Sequence, residues 1–294
     1  MYPARANLFG ILAILMWSTL IGLVRSVTEA FGVDAGTASM YSIGAIALCI
    51  KQGLPKISKM PKIYILGCGA LFVIYEILLS QSIGLSVSSV QTMEVGMLNY
   101  LWPCAIVILS IWINKQKLKW WVWPGILLSL AGIFWCMTSN DQQLSLSGFW
   151  ANVMSAPLPY FLAFMAAWMW GLYCNLSRRY FEDHNAISLF FIVLAVVLWV
   201  RFFMSDAQLV YPGVQSLLEL LFIGVIFGVS YSLWEVGIHK GNMLLLAILS
   251  YFTPVFSMLF AGLWLKTIPG TNFWLGVGLV VAGSFVCWLS SKQK

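Results

Sequence analysis

Three glutamates lie well inside apolar runs of this 294-residue chain: Glu76, Glu94 and Glu235. A carboxylate in hydrocarbon is costly, so each must face a cavity, a partner or water. No cationic side chain sits deep enough in the runs to pair with Glu76 or Glu94. Either can therefore hold a proton or meet the ammonium of a ligand. Glu76, nearest mid-run and beside Tyr75, is the first choice. Glu94, about one and a half turns before Asn99, is the second. Glu235 falls near the end of its run, where Lys240 or water can meet it.

Two prolines stand inside apolar runs with polar residues just ahead of them. They are Pro103 in Asn99-Tyr100-Leu101-Trp102-Pro103 and Pro254 in Ser250-Tyr251-Phe252-Thr253-Pro254. Proline removes one helical hydrogen bond and strains another, which frees carbonyls in the preceding turn. Away from bulk water such groups need polar partners, ordered water or substrate. Aromatic rings supply the third candidate group. Trp120, Trp121, Trp123, Trp264, Trp274 and Trp288 lie near run ends and suit a membrane-interface belt. Trp17, Trp102, Trp168 and Trp170 lie mid-run. Trp168 and Trp170 are about 200° apart on a helix, so only one readily faces inward, and Trp170 is chosen because it matches Trp17 in the repeat below. With Tyr75, Tyr100 and Tyr251, these rings suit stacking or a cation over a ring face.

The elements that must position these groups follow from composition. The chain is 61% hydrophobic and only 9% charged, against roughly 25% charged in soluble domains. It cannot cover a water-facing surface with charge. Ten apolar runs, at roughly 7–26, 35–53, 63–84, 90–113, 120–138, 157–178, 186–204, 214–237, 243–265 and 272–290, are each long enough for a helix to cross hydrocarbon. They are too long and too uniformly apolar for barrel strands. Connections are short, and no soluble domain fits. With ten spans the termini share one side, which holds thirteen lysines and arginines, including Arg5, Lys56, Lys115, Arg178 and Lys240. The other side holds Arg25, Arg201 and Lys266. The asymmetry places both termini in the cytoplasm. The +6 net charge is thus a topology signal and no argument for nucleic acid. The first run reads as a retained helix, since Arg25-Ser26-Val27 offers no small-residue cleavage site.

The chain is also written twice. Residues 98–136 align without a gap on 249–287, a shift of 151. Tyr100 meets Tyr251, Pro103 meets Pro254, Lys115 meets Lys266, Gly125 meets Gly276, Gly132 meets Gly283 and Cys136 meets Cys287. Met16-Trp17 meets Met169-Trp170 with a shift of 153. Residues 1–150 therefore form a first five-helix repeat and 151–294 a second. Because five is odd, the second copy enters the membrane from the opposite side. The fold class is all-α integral membrane, ten helices in two inverted-topology halves. That architecture belongs to secondary transporters, whose sites lie near the midplane at helix interruptions. Glycine spacings such as Gly224…Gly228 and Gly276-Val277-Gly278…Gly283 permit close helix contact.

Other chemistry finds little support. The six cysteines are dispersed in the runs, and neither His184 nor His239 has a second histidine at ligand spacing, so no metal or disulfide framework is expected. No GxSxG, HExxH or phosphate-loop motif exists, which leaves an intramembrane enzyme without a catalytic constellation.

Ten helices in two inverted halves resemble the drug/metabolite transporter superfamily. Within it, Glu94-Val95-Gly96-Met97-Leu98-Asn99-Tyr100-Leu101-Trp102-Pro103 is similar to the fourth-helix motif of bacterial aromatic amino acid exporters. Trp17-Ser18-Thr19, Tyr75-Glu76 and Ser250-Tyr251-Phe252-Thr253-Pro254 resemble the same branch. So does Gly237-Ile238-His239-Lys240-Gly241-Asn242, although Lys240 departs from an expected histidine-glycine pairing. The resemblance implies a multi-pass bacterial inner-membrane exporter of amino acids, chiefly aromatic ones, with a cavity lined by the first, third, fourth, sixth, eighth and ninth helices. Its alternative cargo is lipophilic cationic toxicants such as viologens. The expected substrate-binding set is Trp17, Tyr75, Glu76, Asn99, Tyr100, Trp102, Trp170 and Tyr251, with helix breaks at Pro103 and Pro254. Glu94 is the second choice for coupling. No cofactor and no nucleic acid partner are expected; the partners are the lipid bilayer and a small-molecule substrate, and no oligomer is required.

Overall fold

Apolar runs bounded by glycine, proline and polar clusters fold as helices because hydrocarbon leaves backbone groups no partners but their own. The structure, a computed structural model, describes residues 3–138, 146–181, 186–264 and 271–291. Every regular element among them is helical. They are α1 (Pro3–Phe31), α2 (Val33–Gln52), a 3-10 turn (Ile57–Lys59), a π-helical stretch (Ile63–Cys68) continuing into α3 (Gly69–Gly84), α4 (Ser89–Asn99) and α5 (Trp102–Ile113). There follow α6 (Val122–Thr138), α7 (Leu146–Ser155), α8 (Pro157–Tyr180), α9 (Ile187–Phe203), α10 (Val214–Lys240), α11 (Met243–Leu249), a 3-10 turn (Ser250–Phe252), α12 (Thr253–Trp264) and α13 (Thr271–Ser291).

Among the described residues, five stretches are long and apolar enough to span a membrane: Val33–Gln52, Ile63–Gly84, Glu94–Ile113, Val214–Lys240 and Phe273–Ser290. A sixth is added if α7 and α8, bent by 102° at Ala156, count as one. Residues 122–135, 187–203 and 243–257 form shorter apolar helices. Large apolar side chains cover the outside, with Ile50 81% and Leu66 71% exposed. A water-soluble surface does not carry such extended apolar cover, whereas lipid matches it. Trp120, Trp121, Trp123 and Trp274 are also outward-facing, as an interfacial belt requires.

The chain divides into two compact units. One comprises Met1–Gly69 and Tyr180–Asn242, and the other Ala70–Arg179 and Met243–Lys294. Each draws on both sequence halves. In the first unit α10 packs along α1 and α2, and α9 along α2. Missing side chains let α2 and α10 touch: a Cβ on Gly228 would sit 2.8 Å from the Gly44 carbonyl oxygen.

In the second unit α6 packs along α13. A Cβ on Gly132 would lie 2.6 Å from Val280 N and 2.7 Å from Gly276 O. One on Gly125 would lie 2.9 Å from Gly283 O. Lys119 N donates to Ser290 O at 3.3 Å. Rising numbers on α6 thus meet falling numbers on α13, and the two helices run antiparallel. Gly278, expected in the contact, has open space beside it.

Candidate functional site

The apolar stretch 89–113 is broken where Asn99-Tyr100-Leu101 precedes Trp102-Pro103. The α4 start is set by Ser88, whose hydroxyl accepts from Gln91 N at 3.1 Å, while Gln91 Oε1 accepts from Val87 N at 2.7 Å. This reciprocal arrangement resembles a capping box. The α4 end tightens: Tyr100 N donates to Met97 O at 3.0 Å and Leu101 N to Leu98 O at 3.0 Å. Pro103 then occupies the first turn of α5, where a missing N–H costs nothing. The proline therefore starts a new helix instead of kinking one. The same construction recurs at Ser250–Phe252, with Pro254 in the first turn of α12. Ser250 Oγ donates back to Leu246 O at 2.7 Å.

Around the first break the second unit gathers aromatic rings on Trp170 of α8. Its ring centroid lies 4.8 Å from Tyr75 of α3, 6.4 Å from Trp102 and 5.1 Å from Tyr173. All are buried, whereas Trp168 is only partly so. The Asn99 side chain and the Glu76 carboxylate both lie within electrostatic reach of the Tyr75 hydroxyl. Asn99 Oδ1 is buried with no partner among the described residues. Such an orphaned acceptor needs water or a ligand. Tyr75, Glu76, Asn99, Trp102 and Trp170 are thus brought together.

Other expected residues lie elsewhere. Trp17 is in the first unit, 5.2 Å from both Tyr231 and Trp234 of α10. Tyr251 is fully buried in an apolar cluster with Ile133, Val255, Phe273 and Val280, against which Tyr100 packs. The Tyr251 hydroxyl and the Thr253 hydroxyl have no hydrogen-bond partner among the described residues. His184 and Lys266 fall outside the described residues, as do the side chains of Arg25, Cys136 and Trp264.

Two glutamates have partners that sequence reading missed. Glu94 is 1% exposed; the Tyr160 hydroxyl donates to its Oε2. Asn152 Nδ2 donates to Oε1 at 3.2 Å and to Oε2 at 3.1 Å. The carboxylate thereby ties α4 to α7 and α8. Because these partners lie 58 and 66 positions away, no local spacing announces them. Removing the acceptor leaves the Tyr160 hydroxyl unsatisfied, so Glu94→Ala should destabilise the protein by about 2–4 kcal/mol. Thermal unfolding in detergent measures this, and an unchanged midpoint would refute the tie.

Glu235 does not meet water, contrary to the expectation from its place near a run end. It is buried against His239, with Oε2 and Nε2 3.1 Å apart and both side chains 1% exposed. The i,i+4 spacing on one helix face was the signal available. In the same unit, Ala45, Ile46, Cys49, Ile50 and Ile192 line a wholly apolar groove. It suits lipid chains.

A model of the EamA-like transporter family matches residues 4–138 and again 157–289. The aromatic amino acid exporter YddG of Salmonella typhimurium is 36% identical over 294 residues, covering 100% of both chains. The YddG protein of Escherichia coli is 37% identical, covering 98% of each. One crystal structure superposes with a TM-score of 0.81 at 25% identity, covering 99% of this chain and 100% of that one.

Proposed function

The chain belongs to the EamA-like transporter family, a transporter and no enzyme, and from that premise we propose that it exports amino acids, chiefly aromatic ones, across the bacterial inner membrane. The single observation that carries this reading is the buried ring set on Trp170, whose Tyr75 member lies within electrostatic reach of Asn99 and Glu76. Tyr75, Trp102 and Trp170 hold the flat side chain by stacking and edge contacts. Glu76 and the unpartnered Asn99 Oδ1 receive the ammonium. The Thr253 and Tyr251 hydroxyls at the second break are donors suited to the carboxylate. Trp17, with Tyr231 and Trp234, supplies an aromatic set in the other unit.

The proposed architecture is ten spans in two inverted halves, 1–150 and 151–294, with both termini cytoplasmic. Two observations support it. The family model matches once in each half. The α6–α13 contact is also reciprocal: Gly125 meets Gly283 and Gly132 meets Gly276. Gly283 is the repeat counterpart of Gly132, and Gly276 that of Gly125. A contact of i with the counterpart of j, matched by j with the counterpart of i, is the mark of a two-fold axis. Antiparallel helices related by such an axis cross a membrane in opposite senses. Alternating access then follows from rocking one half against the other around a mid-membrane site.

The test is radiolabelled tryptophan flux through purified protein in liposomes. Saturable flux, inhibited by phenylalanine and tyrosine, is the expected result. A carboxylate beside an aromatic cage also suits a lipophilic cation. Transport of a viologen without transport of tryptophan would replace the amino acid reading with that one.

A further inference from the structure

We propose that Glu235 and His239 form a proton-binding site that couples this carrier to the proton gradient, losing a proton when substrate binds and regaining one when it leaves. The proposal rests on the transport reading above. Its footing is a buried carboxylate–imidazole pair at 3.1 Å, both members 1% exposed, inside a membrane-spanning helix. A buried carboxylate in a span marks an ion or proton pathway by default.

The pair has a defined stoichiometry. With one proton shared between Oε2 and Nε2 its net charge is zero, whichever atom holds the proton. Giving that proton to water leaves a carboxylate beside a neutral imidazole, with net charge −1. No other bond changes, and one proton per cycle enters or leaves.

The surroundings suit exchange at a helix end. His239 lies in the last turn of α10, where carbonyl ends of peptide dipoles favour a cation. Phe181 stacks over the imidazole at 4.0 Å, and Lys240 Nζ lies 5.6 Å from the centre of that ring. The π-helical stretch Ile63–Cys68 brings two further titratable groups. Tyr64 sets its ring edge-on to His239 at 6.3 Å, and Cys68 is within electrostatic reach of Glu235. π-helical turns are frequent at functional sites. Among the described residues, α1 and α2 bring polar groups that do not titrate: Asn7 accepts from Asn242 N at 2.6 Å, and Gln52 donates to Ser232 at 2.6 Å.

The link to substrate is α10 itself. Trp234 precedes Glu235 in the chain, and Tyr231 lies one turn earlier; both pack on Trp17. A shift of α10 that repacks these rings carries Glu235 and His239 with it and changes the cover that Phe181, outside the helix, gives the imidazole. Opposed binding of proton and substrate through one helix is reciprocal coupling, the requirement for exchange.

The measurement is the number of protons released per tryptophan bound by purified full-length protein, from calorimetry in buffers of different ionisation enthalpy near neutral pH. Wild type should release about one proton, and Glu235→Gln and His239→Gln should bind tryptophan with that release lost. Tryptophan binding with no proton exchanged in wild type would overturn the proposal, as would full release from Glu235→Gln. Release lost in Glu76→Gln but kept in Glu235→Gln would overturn it too. If wild type binds no aromatic amino acid, the transport reading itself has failed, a distinguishable outcome. A second readout leaves the pair intact. The chain has 2 histidines, so His184→Gln makes His239 the sole imidazole. Its nitrogen NMR shifts should change protonation state on adding tryptophan, and shifts indifferent to tryptophan would overturn the assignment.

Discussion

Trp170→Ala lowers kcat/KM for tryptophan export by about 100-fold in proteoliposomes, and Trp170→Phe by about 10-fold. The size follows from the number of rings that lean on this one residue. Its indole touches Tyr75, Trp102, Tyr173 and Phe72. Each well-placed aromatic pair contributes about 0.5–1.5 kcal/mol beyond its area, so losing two substrate-facing edges accounts for two decades of rate. Truncation to alanine also opens a cavity, which in a packed core costs about 3–5 kcal/mol. Phenylalanine therefore carries the decisive comparison, because it keeps a ring on Tyr75 while giving up the larger indole face. Trp168→Phe, on the same helix but only partly buried, is the matched control and should export normally. Normal export by a well-folded Trp170→Phe and Trp170→Ala pair would remove the ring set from the binding site.

Much of this arrangement was legible in the sequence because membrane rules act locally. Apolar runs become helices, so the all-helical class needed no tertiary knowledge. The breaks ahead of Pro103 and Pro254 were visible because proline acts on its own neighbours. Helical angle said that only one of Trp168 and Trp170 faces inward, the repeat match to Trp17 selected Trp170, and the structure buries Trp170 more deeply. What stayed hidden depends on distant chain segments. Tyr100 and Tyr251 are repeat partners with identical local chemistry, yet Tyr251 sits wholly within an apolar cluster and Tyr100 at its margin. Only neighbours from α6 and α13 make that difference. Glu94 looked able to couple because its partners Asn152 and Tyr160 follow only after two intervening helices. Glu235 and His239 were adjacent on one helix face, and there the permanent charge of Lys240, one position further on, masked the imidazole that makes the contact. The division into compact units was equally out of reach: it pairs residues 1–69 with 180–242, a grouping set by helix packing and invisible to a repeat alignment.

Glu76→Gln raises KM for tryptophan by about 10- to 100-fold, the loss expected when a charge-assisted hydrogen bond of about 1.5–3 kcal/mol becomes a neutral one. The carboxylate follows Tyr75 directly in α3, and its charge is felt at the Tyr75 hydroxyl, which the Asn99 side chain also influences. A ligand whose ring stacks on Tyr75 and Trp170 would carry its ammonium toward these two acceptors. Substrate analogues separate this role from a general loss of structure. Tryptamine keeps the ammonium and lacks the carboxylate, whereas indole-3-propionate keeps the carboxylate and lacks the ammonium. The variant should lose inhibition by tryptamine in step with tryptophan, and retain whatever weak inhibition indole-3-propionate gives in wild type. Glu76→Asp preserves the charge on a shorter arm and should fall between the two. An equal loss for all three ligands would make Glu76 a packing residue, and an unchanged KM for tryptophan would move the ammonium elsewhere. Because Glu235–His239 lies in the other unit, proton release per bound tryptophan should be unaltered in Glu76→Gln at saturating substrate. The two proposals thus place ligand recognition and proton coupling on different carboxylates, and each has a readout that the other does not move.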